Sequence, residues 1–138
     1  MSIKIDIVSA EAEIFSGEVE MVFAPALLGE VGIAPGHTPM MSRLGPGEVR
    51  VQFEDGTDEA FYVSGGLLEV QPKLVTVLSD TAQRAGVLDE DAAVRAKQAA
   101  EDAMANREAG MDFAIAQAQF AEAAAQLQMI QKLRRRRG

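Results

Sequence analysis

Apolar and polar residues alternate through much of the first 86 positions. Ile3-Lys4-Ile5-Asp6-Ile7 places three isoleucines on one face, the period-two pattern of a half-buried strand. Glu18 to Phe23 repeats the pattern and is expected to end at Pro25. Met40 to Leu44, Glu48 to Phe53, Glu59 to Val63, Leu67 to Val70 and Leu74 to Leu78 add further strand-length runs. Turn signals separate them: Phe15-Ser16-Gly17, Gly45-Pro46-Gly47, and Glu54-Asp55-Gly56-Thr57 with its Asp-Gly pair. Ser64-Gly65-Gly66 suits a bulge or a close approach of two backbones. Eight or more short strands with frequent turns predict an antiparallel β-sandwich or barrel.

The period then lengthens. Asp89 is placed to cap a helix, with Glu90 and Asp91 favouring its positive end. Ala92, Ala96, Ala99 and Ala103 recur at helical spacing and predict one stripe of small residues. Gly110 is expected to break the run and Asp112 to cap a second helix, where Phe113, Ala116, Phe120, Ala123, Leu127 and Ile130 repeat at three- and four-residue steps. Two helices joined by a short break predict an antiparallel hairpin. Alanine buries little apolar surface, at most about 1 kcal/mol each. A hairpin packed this way is weak alone, which predicts docking on another surface or a switch between states.

Composition places the boundary between the two parts. Of the 12 glycines only two follow residue 87, and none of the 5 prolines does. The predicted division is a β-sandwich over residues 1–86 and a helical hairpin over 87–138. The net charge of −8 is carried by the first part, while the last seven positions hold Lys132, Arg134, Arg135, Arg136 and Arg137. With a pI near 4.6 and no aromatic residues among those cations, nucleic acid is a poor fit. The basic tail suits the negative end of its own helix or an acidic protein surface.

Candidate chemistry is sparse. One histidine and no cysteine in 138 residues leave no thiolate zinc site and no Ser-His-Asp or Cys-His set. Glycines 65 and 66 lack the Lys and Ser/Thr of a phosphate-cradling loop. The longest uncharged apolar run, Val22 to Leu28, is interrupted by Pro25 and falls far short of the roughly 20 residues of a membrane span. The expected protein is soluble and intracellular, non-catalytic and without a cofactor. The densest constraint is Gly29-Glu30-Val31-Gly32-Ile33-Ala34-Pro35-Gly36-His37-Thr38-Pro39. Its prolines and glycines predict at most a short extended piece, then a stiff surface turn.

That stretch resembles the G-E-V-G-I-x-P-G-H-x-P loop of the epsilon subunit family of bacterial F-type ATP synthases (delta in mitochondria). Val8-Ser9-Ala10-Glu11 with Phe15-Ser16-Gly17, and Tyr62-Val63-Ser64-Gly65-Gly66-Leu67-Leu68-Glu69-Val70-Gln71-Pro72 with Val75-Thr76-Val77-Leu78, fit the same family in order and spacing. The likeness runs from about Ile3 to Leu133. It implies a sandwich of about ten strands followed by a helical hairpin, in a non-catalytic subunit of the central rotor stalk. It also implies a monomeric chain, peripheral on the cytoplasmic face of the bacterial inner membrane and touching the membrane only through its complex. The implied partners are the gamma subunit, the c-ring and the catalytic head. Ser9, Glu30 and His37 match positions at the sandwich end facing gamma and the c-ring. The helices would restrain ATP hydrolysis, with the basic tail meeting acidic segments of the head. The family's nucleotide motif, [IL]-D-x-x-R-A, reads here Leu88-Asp89-Glu90-Asp91-Ala92-Ala93, with alanine in the arginine position. Asp89 remains, and Arg95, three residues on, could substitute for the arginine only with a different geometry. The competing readings are a small β-barrel binding a ligand or peptide, and a barrel enzyme with a polar pocket around His37.

Overall fold

The computed structural model describes residues 1–105 and 112–137. Ten strands come first: β1 (Ile3–Ser9), β2 (Glu13–Val19), β3 (Met21–Ala26), β4 (Gly29–Ile33), β5 (Met40–Leu44), β6 (Gly47–Gln52), β7 (Asp58–Val63), β8 (Gly66–Val70), β9 (Leu74–Ser79) and β10 (Ala82–Arg84). Two helices follow, α1 (Glu90–Ala105) and α2 (Asp112–Arg137). Residues 1–86 and 87–138 form two compact units.

The strands form a β-sandwich with the order β10-β7-β6-β3-β5-β8-β9-β1-β2, and β4 pairs with β3. All pairings are antiparallel except β1 with β9, which is parallel. The guanidinium of Arg84 on β10 donates to the Ile14 carbonyl on β2 at 3.5 Å, bringing the two ends of the order together. Alternation puts Ile3, Ile5 and Ile7 into the core beside Val22, Ala24, Val49, Val51, Phe61, Val63, Val75 and Val77, all fully buried. Each such branched or aromatic side chain contributes about 1.5–3 kcal/mol relative to exposure.

Two expected chain breaks lie inside strands. Phe15-Ser16-Gly17 is not a turn: Ile7 pairs with Phe15, Asp6 with Ser16 and Ile5 with Gly17. Glycine is tolerated there because the Phe15 ring lies over it, 3.1 Å from where a Cβ would stand. The real turn is Ser9–Ala12, closed by the Ser9 N–H donating to the Ala12 carbonyl at 2.8 Å. Pro25 does not end its strand either. Residues Met21 to Phe23 pair with β6 and Ala26 pairs with Leu44 of β5. Pro25 sits where one partner hands over to the other, so no ladder N–H is missed there. Its carbonyl accepts from the Gly45 N–H at 2.9 Å.

In the second unit, the Asp89 carboxylate accepts from the Ala92 N–H at 3.2 Å and caps α1. The packed face of α1 lies one residue from the expected stripe. Ala93 and Ala100 are buried with Lys97 and Met104 half-buried, whereas Ala92, Ala96, Ala99 and Ala103 are exposed. Alanine occurs all round this helix, so its spacing marks no face. The larger side chains decide, and the Lys97 ammonium lies 5.6 Å from the centre of the Phe120 ring. On α2, Ala116 and Ala123 are buried with Phe120, Leu127 and Ile130 half-buried, but Phe113 is 46% exposed. Glu90 at the start of α1 is paired with Arg134 near the end of α2, so the helices run antiparallel. The expected break at Gly110 and the side chain of Asp112 lie outside the described residues.

Candidate functional site

One row of paired residues crosses an end of the sandwich: Ser9 with Ser79, Ser79 with Gly66, Gly66 with Leu44, Leu44 with Ala26, and Ala26 with Gly29. The β3–β4 hairpin turns here through Leu27 and Leu28, and Gly29, with φ 131°, takes the positive angle that neither leucine adopts. Hairpin tips ordinarily carry Gly, Asn or Asp. Here Leu28 is fully exposed and Leu27 is 61% exposed.

The apolar tip continues along the outer face. Leu27 donates its N–H to the Arg43 carbonyl, Arg43 pairs with Leu67, Leu67 with Leu78, and Leu78 with Val8. Leu67, Leu78 and Met41 are all substantially exposed. Gly66 makes the row possible. Its φ is 134°, and a Cβ there would collide with the Leu78 carbonyl. Beside it open two depressions, of about 370 Å³ against Val8, Ser9, Leu78 and Asp80, and about 420 Å³ against Leu27, Arg43 and Leu44. This surface carries exposed apolar side chains, with no convergent catalytic groups among the described residues.

The three expected contact residues separate into two places. Glu30 is exposed beside the leucine tip, paired in register with Pro25. Ser9 is at the same end, and its hydroxyl accepts the Ala12 N–H at 3.2 Å, so it also shapes the turn. His37 stands at the other end of β5, because Gly36 donates its N–H to the Pro72 carbonyl and Met40 pairs with Val70. The expectation of a single end is therefore corrected: β5 separates His37 from Glu30 by roughly 14 Å of strand. His37 Nδ1 lies 2.7 Å from the Thr38 carbonyl, which can only accept, so Nδ1 carries the proton. The sequence reading missed Leu27, Leu28, Met41, Leu67 and Leu78. The signal available was two leucines in a turn immediately before Gly29.

Elsewhere, the Asp89 carboxylate is engaged in the helix cap and Arg95 is exposed on α1. Lys132 and Arg135 are exposed, and Arg134 is paired with Glu90. The side chains of Arg136 and Arg137 lie outside the described residues.

Comparison with known proteins decides what this architecture is. Residues 2–85 match the family described as ATP synthase, Delta/Epsilon chain, beta-sandwich domain, and residues 88–131 match the family's long alpha-helix domain. The chain belongs to the delta/epsilon chain family of ATP synthases. The ATP synthase epsilon chain of Nitrosococcus oceani is 62% identical over 138 residues, covering 100% of this chain and 99% of that one. That of Alkalilimnicola ehrlichii is 58% identical over 98% of this chain and 96% of its own length. Among solved structures, a chain in the mitochondrial ATP synthase of Euglena gracilis, an OSCP/F1/c-ring assembly, superposes with a TM-score of 0.74 at 19% identity. It covers 99% of this chain and 82% of that one, and shows the shared fold. Membership of the delta/epsilon family makes the chain a subunit of the ATP synthase and not an enzyme in its own right. No helix among the described residues is long and apolar enough to cross a membrane.

Proposed function

We propose that the chain is a rotor subunit of a proton-translocating ATP synthase, coupling c-ring rotation through gamma to the catalytic head. On this reading it is peripheral at the cytoplasmic face of a bacterial inner membrane and monomeric before assembly. The leucine tip and Glu30 meet the c-ring end, and the outer face from Ser9 past Leu78, Leu67 and Met41 to His37 lies against gamma. The observation that carries the reading is the group of exposed apolar side chains at Leu27, Leu28, Met41, Leu67 and Leu78, crossed by Arg43, on a unit that otherwise carries −8. Apolar surface of this kind marks partner sites.

The test measures affinity of the full chain for a gamma and c-ring assembly. Leu28→Ser with Leu67→Ser is expected to weaken binding roughly tenfold or more, since buried anchors dominate interface energy. Glu30→Ala with His37→Ala should weaken it less. Circular dichroism confirms that each variant is folded, and unchanged affinity in a folded Leu28/Leu67 variant would contradict the reading.

The helices carry the finer part of the proposal. An alanine-packed hairpin ending in Lys132 and four arginines is suited to leave its resting packing and restrain hydrolysis through acidic groups on the head. With Ala92 in place of the motif arginine and Asp89 engaged as a cap, release does not use nucleotide bound at Asp89 and Arg95. Changing Arg134 to Arg137 to glutamine is expected to raise ATP hydrolysis at low salt, with the difference shrinking as salt rises. Equal hydrolysis by both complexes at low salt would remove the tail from the mechanism.

A further inference from the structure

We propose that Glu90 and Arg134 form a charge clasp across the open end of the helical hairpin, and that this clasp competes with acidic partners for the tail. Glu90 lies in the first turn of α1 and Arg134 in the last turn of α2, and the Arg134 guanidinium donates to the Glu90 carboxylate. The pair therefore joins the two helix ends farthest along the chain from the link between them. Between those ends, closure uses four buried alanines (Ala93, Ala100, Ala116 and Ala123), one large buried side chain, Met129, and Lys97 over Phe120. With Met129 the one large side chain fully buried among the described residues of this unit, the hairpin responds to one ion pair more than a core of many branched side chains would.

Each charge is also well placed without the other. A carboxylate in a first turn and a guanidinium in a last turn both complement their own helix dipoles. Removing one partner leaves a folded helix with a charge its own dipole still favours. Arg134 is 65% exposed on its side chain and Glu90 35%, so an outside acid can reach the guanidinium and exchange for Glu90. Asp91 on the same turn is exposed as well, but it is not the residue paired. The consequence is a coupling. An acidic surface that takes Arg134 opens the base of the hairpin, and a closed hairpin withholds one cation from the tail. The competition rests on the tail contact proposed above, whereas the clasp itself is a property of the isolated chain.

Two measurements separate these. The chain has no cysteine, so Val94→Cys and Gln131→Cys give a unique pair of exposed positions for spin labels. Electron–electron resonance on the full chain should show one short distance. Glu90→Gln or Arg134→Gln should each enlarge the long-distance population about threefold, the scale of an exposed ion pair. High salt should mimic the single variants. Distances unmoved by both single variants, or unmoved by high salt, would overturn the clasp. For the competition, binding of poly-L-glutamate to the full chain is compared across variants. Glu90→Gln should tighten it about twofold to threefold beyond Glu101→Gln, an exposed control with the same change in net charge, and Arg134→Gln should weaken it. Equal binding by Glu90→Gln and Glu101→Gln would overturn the competition while leaving the clasp and the rotor reading standing.

Discussion

The interior of residues 1–86 is filled by isoleucine, valine, leucine and phenylalanine from ten strands, with Phe15 and Phe61 ring centres 5.3 Å apart. The closure of residues 87–138 is made of alanines and a few longer side chains on two helices. Per buried residue the first contributes about two to three times the apolar stabilisation of the second. Backbone bonding differs as well. The sandwich ties residues far apart in sequence, as in the parallel pairing of β1 with β9. The helices satisfy their own backbones locally and need each other only for packing. One chain thus holds a stiff scaffold, which carries the proposed docking surface, and a more weakly closed helical element, which carries the proposed clasp.

The largest expected effect comes from breaking the stiffer side of that contrast. Phe61→Ala removes a fully buried ring and is expected to lower stability by about 3–5 kcal/mol in denaturant unfolding. Ala100→Gly, at an equally hidden place on α1, should lower the stability of the helical unit by only about 1 kcal/mol. Comparable losses in the two variants would erase the distinction between the units.

Gly66→Ala sharpens the same comparison within the sandwich. Its φ of 134° and the nearby Leu78 carbonyl leave no room for a Cβ. Backbone strain of about 1–3 kcal/mol is expected, with added loss from displacing β9. Because Gly66 lies in the middle of the proposed docking row, the variant should also weaken partner binding. Unchanged thermal stability would show that the row tolerates a wider spacing.

The smallest effect is local to the β6–β7 hairpin. The Thr57 hydroxyl, at 2.6 Å, and the Thr57 N–H, at 2.9 Å, both donate to Asp55 and hold its carboxyl below the ordinary carboxylate range. A depressed folded value means the contribution is complete above the ordinary range and is lost as pH falls through the depressed value. Thr57→Val should move the Asp55 titration upward, followed by nuclear magnetic resonance of the carboxyl carbon. An unmoved midpoint would exclude the hydroxyl as the cause.

How far the residues announced these features follows from what each signal measures. Alternation reports one face of a strand, so the core isoleucines and valines were legible, as was the close approach at Gly66. Pro25 and Phe15-Ser16-Gly17 misled because a missing N–H or Cβ reads locally as a break. The handover of strand partners and the covering Phe15 ring are long-range facts. Leucines 27 and 28 were visible only as an apolar run, since hydrophobicity is ordinarily read as burial and these face outward. The alanine face shifted by one because small residues occur all round α1. The antiparallel hairpin was legible from two helical runs and a short break, but the pairing of Arg134 with Glu90 spans 44 positions and depends on the register of the two helices, which no local pattern encodes.

Native-state hydrogen exchange on the full chain tests the two-unit account most directly, residue by residue. Amides of β1, β6, β7 and β9 are expected to exchange only through global unfolding, whereas those of α1 and α2 exchange through a separate opening of clearly lower free energy. That lower opening should become easier still in Glu90→Gln while the strand amides keep their protection. A single shared free energy for strands and helices, moved together by denaturant, would contradict the account.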